Sequence, residues 1–334
     1  MRLELPAIPE RWAAPLPYDG PPVAALALSG SLLAIADDDG TVSLRPVDVA
    51  GPDLLRWRPD FAAGRVDLSG SGTALLVRSR AGDLIEVRDV RSGSSFQLVS
   101  AVPGIPLAVG GFAWHGQREI LLASTGAGRL QVIDPASGQV LSDRPVRAPR
   151  GLVYRGFSAM ADRDSVIAVG YYADEAKDSL VRLSVSRLLA EDGYLEAALH
   201  RPEFGDYAYR LAAGPAGPDQ AVIYRDAEDD EDPDDEEDDP NRPDVHGLNG
   251  VYFRRLDDAV AGQRIPFTTE IRTGDPIFAT PSFVAIATAA GLRSVDRSTG
   301  TAMLLPAGAT AVHPSTTRAV VWAGGRLSLI TVPS

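Results

Sequence analysis

The sequence predicts an all-β fold in which one unit of four short antiparallel strands recurs seven times. Three observations predict it. The 334-residue chain repeats an order of apolar strand, small-residue turn, apolar strand, glycine turn and alternating strand. Its strands are short, rich in Val, Ile, Leu and Ala, and no helical segments separate them. The first turns of successive copies, from Ser29 to Pro314, lie about 47 residues apart on average.

The first copy shows the unit most clearly. Apolar strands at residues 23–28 and 32–36 flank the small-residue turn at 29–31, and a third strand follows at 41–44. Residues 37–40, Asp-Asp-Asp-Gly, connect the second strand to the third. We interpret this segment as a hairpin turn and not as a metal motif, because apolar strands stand on both sides of it.

The later copies follow the same order of strands. They begin near residues 66, 112, 157, 210, 278 and 311. In several copies the third strand ends at an aspartate that a glycine turn follows, and Asp and Ser side chains close such turns. Antiparallel hairpins at this period are typical of β-propellers. We predict a seven-bladed β-propeller of four-stranded antiparallel blades, with six or eight blades as the alternatives.

The two ends of the chain are expected to share the last blade. The seventh copy stops after its third strand, and residues 3–8 form a short segment before the first copy. We predict that residues 3–8 are the outer strand of blade seven, which would close the ring and hide its edges. Pro6 is acceptable there because an outermost strand need not donate on its solvent side. Residues 1–334 would then form a single propeller domain.

These copies resemble the WD40-like superfamily of seven-bladed β-propellers, over essentially the whole chain. The Gly-His and Trp-Asp dipeptides of that family are absent, although Trp114-His115 and Val312-His313 echo them. The resemblance implies that the second-to-third-strand loops and the blade-linking loops lie on one face. The chain also resembles the propeller components of bacterial multi-protein systems linked to ATPases, including those with MoxR-type ATPases and von Willebrand A domains.

An acidic insertion interrupts the fifth copy between its second and third strands, at residues 226–244. Between Asp226 and Pro240 there are 12 acidic residues and no basic ones, so the rest of the chain is nearly neutral despite a net charge of −13. We expect this segment to be flexible, because like charges repel and nothing apolar offsets the ordering entropy. It is either an arm that attracts a basic partner or divalent cations, or a tolerated, solubilising insertion. Broad attraction of nucleic acid is not expected.

We predict that one or more proteins bind the loop face of blades three to five. The loops expected there combine arginines, aromatic residues and the acidic segment, and interfaces are enriched in arginine and aromatic side chains. The alternative is that the aromatics pack between blades and the arginines pair with the acidic segment. The candidate residues are Arg147, Arg150, Arg155, Tyr171, Tyr172, Phe204, Tyr207, Tyr209, Asp229, Asp230, Asp234, Asp235 and Glu236.

No sequence motif indicates catalysis, a cofactor or a metal. The chain has no cysteine, its four histidines fall in different copies without ligand spacing, and it lacks a nucleophile elbow and a phosphate-binding loop. We therefore expect a non-catalytic scaffold that is monomeric outside its complex. The alternative is a lactonase- or glycosidase-like hydrolase that uses the central funnel.

The sequence predicts neither a signal peptide nor a membrane span. Its N-terminus has no basic start followed by an apolar run, and no apolar stretch is long enough to span a membrane. We expect a cytoplasmic protein that does not bind membranes. Residues 186–191 predict one helical turn, because Leu and Ala replace the β-branched pattern there.

Overall fold

The computed structural model describes most of the first half of the chain and mainly the strands of the second half. The described residues are 13–48, 51–101, 108–126, 129–145, 152–159, 163–172, 177–190, 198–200, 209–211, 220–225, 250–255, 264–266, 277–279, 283–288, 291–296, 302–305, 309–312 and 318–331. The acidic segment at 226–244 lies outside them.

The described strands form seven four-stranded antiparallel sheets. Sheet 1 contains β2 (Val23–Ser29), β3 (Leu32–Asp37), β4 (Val42–Pro46) and β5 (Leu55–Trp57). Sheet 2 contains β6 (Ala63–Leu68), β7 (Ala74–Ser79), β8 (Leu84–Asp89) and β9 (Ser95–Val99). Sheet 3 contains β10 (Val109–His115), β11 (Arg118–Ser124), β12 (Arg129–Ile133) and β13 (Val140–Pro145). Sheet 4 contains β14 (Leu152–Ala159), β15 (Ser165–Tyr172), β16 (Lys177–Ser184) and β17 (Ala198–His200).

The remaining sheets have shorter strands. Sheet 5 contains β18 (Tyr209–Leu211), β19 (Gln220–Arg225), β20 (Gly250–Arg255) and β21 (Arg264–Pro266). Sheet 6 contains β22 (Ile277–Ala279), β23 (Phe283–Thr288), β24 (Gly291–Asp296) and β25 (Ala302–Leu305). Sheet 7 contains β26 (Ala309–Val312), β27 (Arg318–Ala323), β28 (Arg326–Thr331) and β1 (Ala13–Leu16).

Sheet 7 joins the two ends of the described chain, because β1 pairs with β28, with Ala13 opposite Ile330 and Leu16 opposite Leu327. The sequence predicted residues 3–8 as this outermost strand, but the strand in that position is Ala13–Leu16. Residues 3–8 lie outside the described residues. The alternating Leu-Glu-Leu segment resembled a strand more closely than Ala-Ala-Pro-Leu does. Ala13–Leu16 nevertheless pairs with β28, because an edge strand tolerates a proline such as Pro15.

Neighbouring sheets pack through apolar side chains. Four buried clusters each span two neighbouring sheets. They contain Leu26 and Val320 of sheets 1 and 7, Ala36 and Val66 of sheets 1 and 2, Leu76 and Leu121 of sheets 2 and 3, and Leu122 and Val166 of sheets 3 and 4. The innermost strand β18 of sheet 5 also contacts β14 of sheet 4. Sheets 1 to 3 are therefore covered on both faces, which explains near-continuous apolar strands such as β3, whose Leu33 to Ala36 are fully buried.

The one helix among the described residues confirms the predicted helical turn. Helix α1 (Val185–Leu189) follows β16, and the hydroxyl of Ser184 accepts a hydrogen bond from the backbone N–H of Arg187. Val185 and Leu188 are buried against sheet 3, so the turn packs the edge of sheet 4 onto its neighbour. No helix within the described ranges is long and apolar enough to cross a membrane.

Three innermost strands carry a β-bulge at the same place. The register shifts between Val23 and Ala25 in β2, between Ala63 and Arg65 in β6, and between Tyr154 and Gly156 in β14. Ala24, Gly64 and Arg155 are thus the extra residues. A bulge bends its strand and changes the direction of nearby side chains, and bulges occur often beside binding sites.

Candidate binding surface

The two ends of the sheets differ in the segments that they carry. One end, which we call the cavity end, carries the second-to-third-strand turns and the segments that link one sheet to the next; in sheets 1 and 2 it comprises residues 17–22, 37–42, 58–62 and 79–84. The opposite end carries the other turns, such as residues 29–32, 69–73 and 89–95.

The opposite end is closed by its own hydrogen bonds. The fully buried Ser69 accepts from the backbone N–H groups of Thr73 and Ala74, both at 3.0 Å. Asp89 accepts from the backbone N–H of Ser92 at 2.6 Å, and this bond lowers the pKa of the Asp89 carboxyl. Successive sheets are also tied together here, because Ser29 donates to the carbonyl of Gly70 at 3.2 Å. These polar groups therefore serve the structure.

A cavity of about 440 Å³ opens at the cavity end, between sheets 1 and 2. Its described lining residues come from the two bulged strands, the end of β7, and the β3–β4 and β7–β8 turns. They are Ala24, Asp38, Gly64, Arg65, Arg78, Ser79, Arg80, Ala81 and Gly82. Gly64, Arg65, Arg80 and Ala81 are exposed, so the cavity is open to solvent.

Equivalent backbone hydrogen bonds build the two walls of the cavity. The N–H of Asp38 donates to the carbonyl of Pro22, and the N–H of Arg80 donates to the carbonyl of Ala62, both at 2.8 Å. Asp38 and Arg80 therefore occupy the same position in sheets 1 and 2. Their side chains approach each other to 3.7 Å, and both are more than half exposed. An ion pair of this kind contributes little to stability.

Arg65 and Arg78 stand directly opposite each other on β6 and β7. Cross-strand partners lie on the same face of a sheet, so the two guanidinium groups share one side of sheet 2. Burial lowers the pKa of Arg78, and the positive charge of Arg65 lowers it further. Asp67 is 3.1 Å from Arg65, but the arginine side chain is 58% exposed, so this pair compensates the repulsion only weakly.

The β7–β8 turn is held by a serine. The hydroxyl of Ser79 donates to the Asp83 carboxylate at 2.7 Å and accepts from the backbone N–H groups of Asp83 and Leu84. This fixes the turn that presents Arg80. Gly64 brings β6 close to the turn, because a Cβ at this position would lie 2.6 Å from the Cα of Arg80.

In sheet 1 the position of Ser79 is taken by Asp37, which lies beside Tyr18. The Tyr18 hydroxyl is within hydrogen-bond distance of the Pro21 carbonyl, at 2.7 Å, and of the Asp37 carboxylate. Burial raises the pKa of both side chains, and for Asp37 the hydrogen bond from Tyr18 opposes that rise. The Tyr18 ring also packs edge-on against Trp322 of sheet 7. This cluster holds the segment between β1 and β2 in place.

The structure describes the backbone position of four of the predicted partner-binding residues. Arg155 is the bulge residue of β14, at the position that Gly64 occupies in sheet 2. Tyr171 and Tyr172 end β15, where they pair with Asp178 and Lys177. Tyr209 begins β18. The others lie outside the described residues, namely Arg147, Arg150, Phe204, Tyr207, Asp229, Asp230, Asp234, Asp235 and Glu236. For blades three to five the partner surface stays a prediction.

The arginines of the cavity were not predicted from the sequence. One signal could have found them: Arg78 ends an otherwise apolar strand, at the place where the first copy has Ala36. Among the residues that the structure describes, no group of three or more His, Asp or Glu side chains could hold a metal ion.

Comparisons with known proteins identify the fold. No protein-family model matches the chain, and no curated protein matches it in sequence. Among solved structures, the β-propeller domain of Cps50 (Swd1) from Myceliophteria thermophila is similar with a TM-score of 0.59 and 13% identity, covering 95% of this chain and 98% of that one. Hydrazine synthase from Kuenenia stuttgartiensis is similar with a TM-score of 0.60 and 10% identity, covering 95% and 97%.

These likenesses extend over nearly the whole chain at very low identity, so they show the fold alone. The chain has an all-β, propeller-like fold of four-stranded antiparallel sheets, as the repeat pattern predicted. The two similar structures include an enzyme by name and a propeller domain, so the fold does not decide between catalysis and binding.

Proposed function

We propose that this protein is a non-catalytic scaffold that binds other proteins through the cavity end of its propeller. One observation carries the proposal. Sheets 1 and 2 share the same bulged hairpin and the same turn hydrogen bonds, yet only sheet 2 lines an open cavity with arginines. The bulged backbone does not require those charges, because sheet 1 forms the same backbone with Ala25 and Ala36 at the equivalent positions. Arginine is among the residues that dominate binding energy at protein interfaces.

The proposal includes a ring of seven blades in a single domain, closed by the N-terminal strand. Seven described sheets of four strands support it, as does the pairing of β1 with β28. Further support comes from the ion pair between Arg318 of sheet 7 and Asp48, in the loop after β4 of sheet 1. A closed ring leaves only the short outermost strand of each sheet as an edge.

The proposed partner surface extends from the cavity to the loops of blades three to five. By analogy with WD40-like propellers these loops lie at the same end, and the bulge at Arg155 repeats the bulges that line the cavity. The acidic segment at 226–244 would add a negative surface there. We place the protein in the cytoplasm, monomeric outside its complex, as a component of a bacterial multi-protein system linked to an ATPase.

Catalysis is the second candidate. The fold is shared with hydrazine synthase, and a cavity of about 440 Å³ is large enough for a small substrate. The titratable residues in the described part of its lining, however, are three arginines and Asp38. Hydrolysis of a glycoside would use a pair of carboxyl groups. This composition favours the binding of an anion over hydrolysis.

Cross-linking mass spectrometry on the captured native complex tests the proposal. We expect carboxyl-directed cross-links from a partner to Asp60 and Asp83, and loss of the partner when Arg80 and Arg65 are both changed to Glu. Ser92→Ala, at the opposite end, is the matched control and should retain it. Stable cross-links only to the opposite end would refute the proposed surface. Turnover of a lactone or glycoside by the purified chain would favour the hydrolase.

A further inference from the structure

The arginine pair in sheet 2 occupies positions where the fold elsewhere uses small or apolar residues. The pair corresponds to Ala25 and Ala36 in sheet 1, and to Gly156 and Val169 in sheet 4. In each case the residues flank a bulge at the cavity end of the innermost strand. Opposed like charges at such a position destabilise a sheet. Their presence in only one of three equivalent hairpins indicates a role outside the hairpin.

The charges around the cavity leave it positive. Among its described lining residues, Arg65, Arg78 and Arg80 accompany one carboxylate, Asp38, which lies 3.7 Å from Arg80. Asp67 lies beside Arg65 on the same strand, and both of these ion pairs are substantially exposed. Solvent-exposed pairs exchange partners at little cost, so an incoming anion can replace these contacts.

Two guanidinium groups on one face of a sheet are suited to an oxyanion. Guanidinium forms paired hydrogen bonds with carboxylate and with phosphate, and these are stronger than bonds between neutral groups. An anion between Arg65 and Arg78 would also offset the repulsion between the two guanidinium groups. Its volume of about 440 Å³ accommodates a side chain and its neighbours but not a folded domain.

We propose that this cavity binds an oxyanion, a carboxylate or a phosphate, carried by an extended segment of a partner protein. Arg65 and Arg78 hold the oxyanion between them, and Arg80 contacts the adjoining part of the segment. The segment lies over the exposed residues Gly64 and Ala81, where the absence of large side chains leaves room for a peptide backbone. The inference rests on the proposed function in taking the partner to be a protein.

The test is a titration of the purified full chain, followed through the side-chain Nε–H signals of arginine in NMR spectra. The signals are assigned with Arg65→Ala and Arg78→Ala. The probes are inorganic phosphate, a short blocked peptide with adjacent glutamates, the same peptide with phosphoserine, and a short single-stranded oligonucleotide. We expect phosphate to shift the Arg65 and Arg78 signals saturably, and one peptide to bind at least about tenfold more tightly than phosphate.

Substitutions distinguish binding in the cavity from general attraction of anions to arginines on the surface. Arg65→Gln changes an exposed side chain and should weaken peptide binding about tenfold or more, and Arg65→Gln with Arg78→Gln should abolish it. Arg326→Gln is the matched control, because Arg326 is exposed at the same end in sheet 7 and does not line the cavity. It should leave binding unchanged. Tighter binding of the phosphoserine peptide would identify phosphate as the oxyanion, and tighter binding of the glutamate peptide would identify carboxylate.

Three results would overturn the inference: no saturable shift with any probe, equal weakening by Arg326→Gln, or tightest binding of the oligonucleotide. Binding of phosphate without any gain from a peptide would also overturn it, because the anion would then not belong to a protein segment. None of these results would refute the scaffold function, which the cross-linking experiment tests independently. Conversely, tight peptide binding with no captured partner would refute the scaffold function alone.

Discussion

Sheets 1 and 2 begin with hairpins that share a backbone and differ in side chains. Both innermost strands are bulged, and both second-strand turns donate to the carbonyl just before the innermost strand. Sheet 1 places Ala25 and Ala36 at the paired positions, packed against sheet 2. Sheet 2 places Arg65 and Arg78 there. The two sheets therefore share the backbone of the repeat, whereas the side chains at the equivalent positions differ from one sheet to the other.

Making sheet 1 resemble sheet 2 should have the largest effect. Ala36→Arg would put a charge and a long side chain where the native residue has no exposure. We expect the free energy of unfolding to fall by about 3–5 kcal/mol, because an unpaired charge is buried in a packed interface. Urea denaturation measures this. Ala81→Arg, at an exposed cavity residue, is the control and should cost less than about 0.5 kcal/mol. Equal losses would show that the two hairpins are not distinguished by packing.

The two bulges should also respond differently to their Cβ atoms. Sheet 1 has Ala24 at the bulge, but in sheet 2 a Cβ on Gly64 would lie 2.6 Å from the Cα of Arg80. We expect Gly64→Ala to destabilise the fold by about 1–3 kcal/mol through forced backbone movement. Ala24→Gly should cost about 1 kcal/mol or less. Thermal unfolding of both variants measures the difference. An unchanged unfolding temperature in Gly64→Ala would contradict the close approach of Gly64 to the backbone of Arg80.

The second strands end in groups that differ in titration, Asp37 in sheet 1 and Ser79 in sheet 2. Because burial raises the folded-state pKa of Asp37, the folded state takes up a proton first as the pH falls. Stability should therefore increase from neutral pH towards the unfolded-state pKa of about 3.9, and this gain should be lost as the pH rises again. In Asp37→Asn this increase of stability at lower pH should disappear, because the titrating group is removed. Urea unfolding across this pH range measures the difference.

Asp89, at the opposite end, should change the stability with pH in the opposite direction to Asp37. The backbone N–H of Ser92 lowers its folded-state pKa, so its contribution is present above the unfolded-state value and is lost as the pH falls. Asp89→Asn should therefore be destabilising at neutral pH and neutral in acid. Parallel pH slopes for the two variants would contradict the assigned shifts.

The reverse exchange, Arg65→Ala with Arg78→Ala, should have the smallest effect on stability. Lost packing of the aliphatic part of Arg78 opposes the relief of repulsion and desolvation, so we expect a change of less than about 1 kcal/mol. Added salt should stabilise the wild type more than the variant, because it screens the arginine pair. Denaturation at low and high salt is the measurement. A large loss of stability would mean that the arginines serve the fold.

The repeat pattern predicted much of the fold from the sequence. Apolar strands such as Leu32–Asp37 and Ala74–Ser79 alternate with glycine turns, and that order is enough to predict four-stranded antiparallel sheets. The outermost strand of sheet 7 was wrongly assigned, because Ala13–Leu16 has no alternation and its place depends on pairing with β28. An edge strand is specified by its neighbour more than by its own sequence.

The candidate site was harder to predict. Its arginines come from two strands and a turn, and only the register of β6 against β7 places Arg65 opposite Arg78. Register depends on the bulge at Gly64, which sequence periodicity does not reveal. The predicted candidates instead followed local clusters of aromatic and charged residues, which need no knowledge of pairing.

Hydrogen exchange of the protein alone and in its captured complex tests the central claim most directly. If sheet 2 is specialised for binding, the partner should slow amide exchange at Arg65 and at residues 80–83. The turns at residues 29–32 and 89–95 should exchange as before. Slower exchange at those turns, with residues 65 and 80–83 unaffected, would contradict the account.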